Sequence, residues 1–467
     1  MNPPISGGLF DRNERVLVIG VGRSGRASIE VLLPRVAGIY ATDENPGIDT
    51  SSLGVPFVAP DALGDVLPNV TVAVLSPGIP LNGELVRRIQ AAGIPVYSEL
   101  EVAYRICRAP IVAVTGTKGK STTTALLGEI FRRAGKTTYV GGNIGNALIA
   151  ETAVAQADDW VIAEVSSFQL ESIRSFKPRV SLILNLSPDH LDRYFSMDEY
   201  TEAKFRIFAN QGPGDTFVGN LDDERIGTLA QGDDTNRIKA RALWFAGEPH
   251  RITTLYVRKG ETIVYAPPTG DPRPVEIMRL DEIPLRGKHN VENVMGAILV
   301  ALAAGLDRVA IADAVRDFHA LHHRLEAVTE RNGVAYVDDS KATNPGSVIA
   351  ALRSFEQPIV LIAGGKAKGT DFAELGRVAS SRTKAVVLIG EAADDIAKTI
   401  KRASVHRAGS MDEAVATAAS LAQSGDVVLL SPGCASFDMF ASAEDRGDKF
   451  IAAVKGLDAT GIHEHAR

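Results

Sequence analysis

The stretch AVTGTKGKSTTTALLGEIFRRAG, Ala113 to Gly135, sets Lys120 and Ser121 behind a glycine-rich turn and ahead of a helical pattern. Strand, glycine loop and helix in that order make a phosphate cradle. Backbone N–H groups face the anion at a helix N-terminus, a lysine adds a point charge, and a serine hydroxyl can ligate Mg²⁺. The usual loop has glycine five positions before Gly119. Here Val114 stands there, with Gly116 nearer, so this is a shorter variant. Phosphate chemistry of this kind needs a metal-binding acid on a neighbouring strand, and Glu164 in the apolar run WVIAEVSS can supply it. A lone buried glutamate is costly unless paired or metal-bound; the other reading is an edge carboxylate facing water. His190 ends NLSPDH on the loop after the next apolar run, as a metal-site residue or a surface histidine. Lys204 falls inside the stripe Met197, Tyr200, Ala203, Ile207 and Phe208 of a helix that starts with a Ser196–Glu199 capping box. It either snorkels to water or, if buried, keeps a neutral amine that can take up CO₂ as a carbamate and bridge metal ions.

A second glycine loop opens the chain. RVLVIGVGRSGRA puts Gly20, Gly22 and Gly25 between a strand and a helix, with Asp43 ending the next strand. The pattern fits a nucleotide pyrophosphate at a helix N-terminus with an acid for the ribose, but it does not say which nucleotide. It is also compatible with a purely structural turn.

The 467 residues exceed one hydrophobic core, and two to four domains are expected. An apolar fraction of 45% and a charged fraction of 23% are those of a soluble globular protein. A net charge of −7 argues against a broad nucleic-acid surface. Cys107 and Cys434, far apart, give neither a disulfide framework nor metal spacing, so a reducing cytoplasm is expected. The opening residues lack a signal-peptide pattern and no run reaches membrane-span length, so no membrane partner is expected.

Three blocks follow along the chain. VLVIG, GIYATD, VAVLSPG and IPVYSELE lie in the first; APIVAVTG, DWVIAEVSS and RVSLILNLS lie in the second, before the more β-like ITTLYVRKGETIVYA. VAYVDDS, PIVLIAGG, KAVVLIG and DVVLLSPG alternate with helical patterns in the third. Continuous apolar strands between helices predict an α/β protein of three domains, each with a parallel sheet covered on both faces. The boundaries are 1–108 for a Rossmann-like domain, 109–323 for a P-loop domain with an added small β-sheet, and 324–467 for a second Rossmann-like domain.

Taken together, GTKGKST, VGGNIGNAL, AEVSSFQLE, NLSPDHLDRY, GKHNVEN, HHRLE, DDSKATNPGS and SPGCASFDMF, in this order over essentially the whole chain, resemble the Mur ligases of peptidoglycan synthesis. SPGI, DSKATN and SPGCASFD look most like the member that adds D-glutamate. The resemblance implies a cytoplasmic, ATP- and Mg²⁺-dependent amide ligase acting on UDP-N-acetylmuramoyl-L-alanine and D-glutamate through an acyl phosphate, and a monomer is expected. It further implies ATP contacts at Gly116, Thr117, Lys118, Gly119, Lys120, Ser121, Thr122, Asn290, Asn293, Arg324 and Asp339. Ser121, Glu164, His190 and a carbamylated Lys204 would form the metal site; Lys120, Glu164, His190 and Lys204 would be the catalytic set. Gly22, Ser24, Asp43, Gly78 and Asn143 would hold the UDP substrate, and Lys341, Thr343, Lys368 and Ser436 the D-glutamate.

Two departures stand out. Glu44 and Asn45 follow Asp43 where the family often has Ser or Thr and then Arg, and Ala443 replaces an aromatic residue ahead of EDRG. Three other readings remain open at this point: a neighbouring Mur ligase or folylpolyglutamate synthetase, a nicotinamide-dependent oxidoreductase, and a non-catalytic nucleotide-gated interaction protein.

Overall fold

The computed structural model describes residues 10–457, apart from 11, 46, 49, 144–145, 190–192, 269–272, 286, 319–321, 354, 356 and 368–369. His190 and Lys368 therefore lie outside the described residues. The chain divides into two compact units, residues 1–284 with 289–318, and residues 285–288 with 319–467.

The first unit carries two sheets. Strands β1 (Arg15–Ile19), β2 (Gly38–Thr42), β3 (Val72–Leu75) and β4 (Val96–Ser98) form a four-stranded sheet, order β2-β1-β3-β4, parallel throughout. Its pleat sorts the apolar runs onto two faces. Val16, Val18, Val72 and Val74 enter one core, whereas Leu17, Ile19, Ala73 and Leu75 enter another. Burial on both faces is why these strands read as unbroken apolar runs.

Next come β5 (Ile111–Thr115), β6 (Thr138–Gly142), β7 (Trp160–Glu164), β8 (Val180–Ile183), β9 (Thr216–Asn220), β10 (Arg241–Ala246), β11 (Leu255–Arg258), β12 (Thr262–Tyr265) and β13 (Val275–Arg279). They make one sheet, order β13-β12-β11-β10-β9-β8-β5-β7-β6. It is parallel from β6 to β11 and antiparallel over β11, β12 and β13. The β-like stretch of the second block is thus an antiparallel extension of the main sheet.

Buried Glu99 joins the two sheets of this unit. It begins the helix Glu99–Ile106, which packs on the helix Leu148–Val154, and its Oε1 accepts the Ile149 N–H at 2.7 Å. Burial pushes its carboxyl up to about 7, against the lowering effect of the Ile149 and Leu148 N–H groups and Arg23. The folded pKa exceeds the unfolded value of 4.5, so the stabilising contribution is full below about pH 4.5 and is lost as pH rises through about 7. Glu99→Gln should remove that decline, on the order of 3 kcal/mol, from the pH dependence of unfolding free energy. Parallel wild-type and variant profiles between pH 4.5 and 7.5 would contradict this assignment.

The second unit holds β14 (Glu326–Arg331), β15 (Val334–Asp338), β16 (Ile359–Gly364), β17 (Thr383–Ile389), β18 (Ser404–Arg407) and β19 (Val427–Gly433), order β14-β15-β19-β16-β17-β18. Only β14 runs antiparallel to its neighbour among the described residues. Pleating again splits the core, with Ile359, Leu361 and Ala363 on one face and Val360 and Ile362 on the other. The α/β fold class read from the sequence is thus the observed one.

Candidate active site

The glycine loop after β5 leads into the helix Lys120–Arg133. Gly119 caps that helix with φ +81°, a left-handed conformation that glycine adopts freely. A Cβ at Gly119 would stand 2.1 Å from Oδ1 of Asn293, so the loop backbone and the helix Lys288–Ala303 meet too closely for any side chain. Asn293 in turn donates to Asn290 at 3.2 Å. Of the two asparagines named from the sequence, Asn293 is therefore brought against the loop turn and Asn290 pairs with it.

Asn185, which the sequence did not single out, clamps the other side. Its Oδ1 accepts the Lys118 N–H at 2.8 Å, its Nδ2 donates to Lys118 O at 3.0 Å, and its carbonyl accepts the Thr117 N–H at 2.9 Å. Thr117 Oγ1 lies 3.2 Å from the Tyr200 hydroxyl and accepts the Ser187 N–H at 3.0 Å. The loop is thus held by its surroundings in the shape an anion would meet. That is preorganisation in the physical sense. His289 is held below its ordinary value by burial and then by the Lys118 charge.

Two lysines converge on one loop carbonyl. Lys120 Nζ donates to Gly116 O and Thr117 O, both at 2.9 Å, and Lys204 Nζ donates to Gly116 O at 2.9 Å. Lys204 is only 2% exposed and lies over the Tyr200 ring at 4.7 Å. Burial, reinforced by the Lys120 charge, drives its pKa well below the lysine range; Asp189 and Glu164 pull weakly the other way. The snorkelling alternative is therefore excluded for this conformation. Lys204 closes the helix Met197–Phe205, whose Ser196 cap accepts the Glu199 N–H. Glu199 reaches back to the Phe195 N–H rather than to Ser196, so the box is formed one residue out of place.

Glu164 ends β7, beside the loop, as a buried side chain. Its Oε1 accepts from Asn143 Nδ2 at 3.0 Å, while Oε2 is buried without a partner among the described residues. A buried, orphaned carboxylate oxygen is expensive unless a cation completes it. That oxygen suits a hard divalent cation.

The first sheet's loop is arranged differently from the expectation for Asp43. Both its oxygens are engaged, Oδ2 with the Val21 N–H and Oδ1 with the Asn45 N–H, each at 2.8 Å. Asp43 therefore braces the glycine loop in this conformation. Gly22 caps the helix Arg23–Leu32, with Ser24 half-buried in its first turn and Gly78 exposed on the loop after β3.

In the second unit, Asp339 follows β15, buried, with Ser431 Oγ donating to it at 2.8 Å and the Leu325 N–H at 3.3 Å. Burial raises it to about 7, opposed by Ser431, the nearby Arg324 charge and Leu325. Lys341 is held by Glu444, which that ammonium lowers to about 2. Thr343 is exposed, and Ser436 is buried with its carbonyl accepting the Phe440 N–H. Arg446, another residue not singled out from sequence, is fully buried. It donates to Ser340 Oγ and O and to Cys434 O, tying the segments after β15 and β19 together. Ser340 donates to the carbonyl of Ala443, so that departure from the family pattern uses only its backbone here.

Residues 114–301 match the model of the Mur ligase middle domain, and residues 323–434 that of the Mur ligase glutamate ligase domain. Over 461 residues the chain is 43% identical to a UDP-N-acetylmuramoylalanine–D-glutamate ligase of Pelotomaculum thermopropionicum, covering 95% of this chain and 98% of the relative. The chain belongs to the Mur ligase family. A second such ligase, from Trichlorobacter lovleyi, is 41% identical over 454 residues, covering 96% and 99% of the two chains. The fold is also that of solved Mur ligases: UDP-N-acetylmuramate–alanine ligase from Thermotoga maritima superposes with a TM-score of 0.57 at 18% identity, covering 95% of this chain and 99% of the other. A pseudomurein peptide ligase from Methanothermus fervidus gives 0.57 at 17% identity, with 94% and 99% covered. Membership of this family, with 43% identity over the full length to a D-glutamate ligase, removes the oxidoreductase reading of the first glycine loop.

Proposed function

We propose that this Mur ligase couples ATP cleavage to amide formation between the L-alanyl carboxylate of UDP-N-acetylmuramoyl-L-alanine and D-glutamate. The observation that carries the reading is full-length identity of 43% to a D-glutamate ligase. The chemistry balances as two steps. A carboxylate oxygen attacks the γ-phosphorus and ADP leaves, giving an acyl phosphate. The amine of D-glutamate then adds to the carbonyl carbon, and the tetrahedral species loses phosphate and a proton to form the amide.

Each step develops negative charge beside an already anionic phosphate. Gly116, Thr117, Lys118 and Gly119 would present backbone N–H groups to it, and Lys120 its charge. Ser121, Glu164, His190 and a carbamate on Lys204 would hold Mg²⁺, which supplies charge neutralisation to the phosphate oxygens when bound. Carbamate formation consumes one CO₂ and releases one proton, and the depressed pKa of Lys204 favours the neutral amine that reacts. Thr122, Asn290, Asn293, Arg324 and Asp339 would contact the nucleotide. The UDP handle would rest on Gly22, Ser24, Asp43, Gly78 and Asn143, with Asp43 releasing one N–H to reach it. Two carboxylates on D-glutamate suit the cations and hydroxyls of Lys341, Thr343, Lys368 and Ser436. By this reading residues 1–108 anchor the UDP substrate, 109–323 bind ATP and 324–467 bind D-glutamate, in a monomer.

The deciding test is a coupled phosphate-release assay with a panel of amino acids. Release should require both UDP-N-acetylmuramoyl-L-alanine and D-glutamate. A folded protein that releases phosphate only with another acceptor overturns the substrate assignment.

A further inference from the structure

Where the chain enters the third sheet, His322 and His323 precede Arg324, and both His323 (φ +63°) and Leu325 (φ +48°) are left-handed without being glycine. Such backbone persists only where the surroundings enforce it. His323 is buried, and its Nδ1 lies 2.6 Å from Oδ2 of Asp338 at the end of β15. The ring also rests against backbone: a Cβ on Gly447 would stand 2.1 Å from His323 Nδ1, so no side chain fits there. That approach sets Asp448 Oδ1 3.7 Å from the other ring nitrogen, Nε2. His322 stacks on His323 with centroids 4.6 Å apart, and its Nδ1 lies 2.7 Å from Oε2 of Glu326. One donor atom each from His322, His323 and Glu326 lies within 4.8 Å of the others.

We propose that His322, His323, Glu326 and Asp448 form a site for a divalent transition-metal ion of the Zn²⁺ class, with Asp338 as the residue that positions His323. No family role discussed above falls on this set. The chemistry is that of a carboxylate–histidine–metal triad: Asp338 accepts the Nδ1–H hydrogen bond, which fixes the tautomer that leaves the Nε2 lone pair free and more basic. Two imidazoles and two carboxylates suit Zn²⁺, whereas Mg²⁺ prefers an all-oxygen octahedral shell with retained water. Tetrahedral donors at Zn²⁺ bond lengths sit about 3.3 Å apart. The exposed side chains of His322 and Asp448 can close the 3.7 Å separation at Asp448 and those of up to 4.8 Å within the other three by rotation.

Calorimetric titration of the metal-free full-length protein with zinc chloride, in saturating Mg²⁺ and on a Glu164→Ala background, reads this site without the phosphate-loop metal site. One equivalent should bind. His322→Ala combined with Glu326→Ala should abolish it, and Asp338→Asn should weaken it by about 10–100-fold. Absence of stoichiometric binding, or binding unchanged in the His322/Glu326 double variant, overturns the proposal. If circular dichroism finds Asp338→Asn unfolded, Asp448→Ala at the exposed rim replaces it, with weaker binding expected and unchanged binding counting against the site. The readout involves neither ATP nor D-glutamate, so it fails or succeeds independently of the ligase reading.

Discussion

Lys120→Ala should lower kcat for phosphate release by about 10³-fold or more, the scale on which a preorganised charge at a developing anion acts. The structure gives two reasons for so large an effect. The Lys120 ammonium is fastened to the Gly116 and Thr117 carbonyls, so its charge is already in place before substrate arrives. Its removal also relieves Lys204, for which the Lys120 charge is the second cause of a depressed pKa. Lys204 should then hold its proton more firmly and form the carbamate less readily, so a single substitution damages both phosphate binding and the metal site. The measurement is kcat in the phosphate assay, with unfolding followed separately to show an intact fold. Turnover near the wild-type level would remove Lys120 from the mechanism.

The sequence was a good guide where one interaction dominates. Strands buried on both faces, such as β5 with IVAV and β19 with VVLL, are legible as apolar runs. Edge strands carry a weaker signature. EAVTER of β14 and SVHR of β18 are half-exposed and polar, and neither stands out as a strand in the sequence. Lys204 illustrates a different limit. Its place in an apolar stripe raised the possibility of burial, but a lysine of that length reaches water from many such positions. Only the packing of Tyr200 and the loop above it decides the matter.

The site divides along the same line. Glycines, Lys120 and Glu164 stand out in the sequence because the chemistry proposed for them restricts residue type and spacing. Asn185 and Arg446 were not, because each acts by completing backbone groups that come from distant segments. Any residue with the right donors could serve there, and nothing local marks which one does. Asp43 shows the converse: a residue expected at a ligand spends both oxygens on its own loop.

Lys204→Ala should cost most of the activity, about 10²-fold or more in kcat, if a carbamate completes the cation site. The loss should be partly restored by millimolar acetate or formate, since a small carboxylate can occupy the space the carbamate would fill. This rescue separates two roles that the fold alone would confuse. A buried lysine that merely fastens Gly116 would leave a destabilised loop, and an added carboxylate would not repair it. A carbamate that merely adds charge predicts the opposite, and it also predicts that wild-type enzyme dialysed free of CO₂ loses activity and regains it with bicarbonate. Glu164 sharpens the distinction, because its buried Oε2, without a partner among the described residues, suits a cation. Full activity of Lys204→Ala without any added carboxylate would reject the carbamate and leave Lys204 as a buried tether of the phosphate loop.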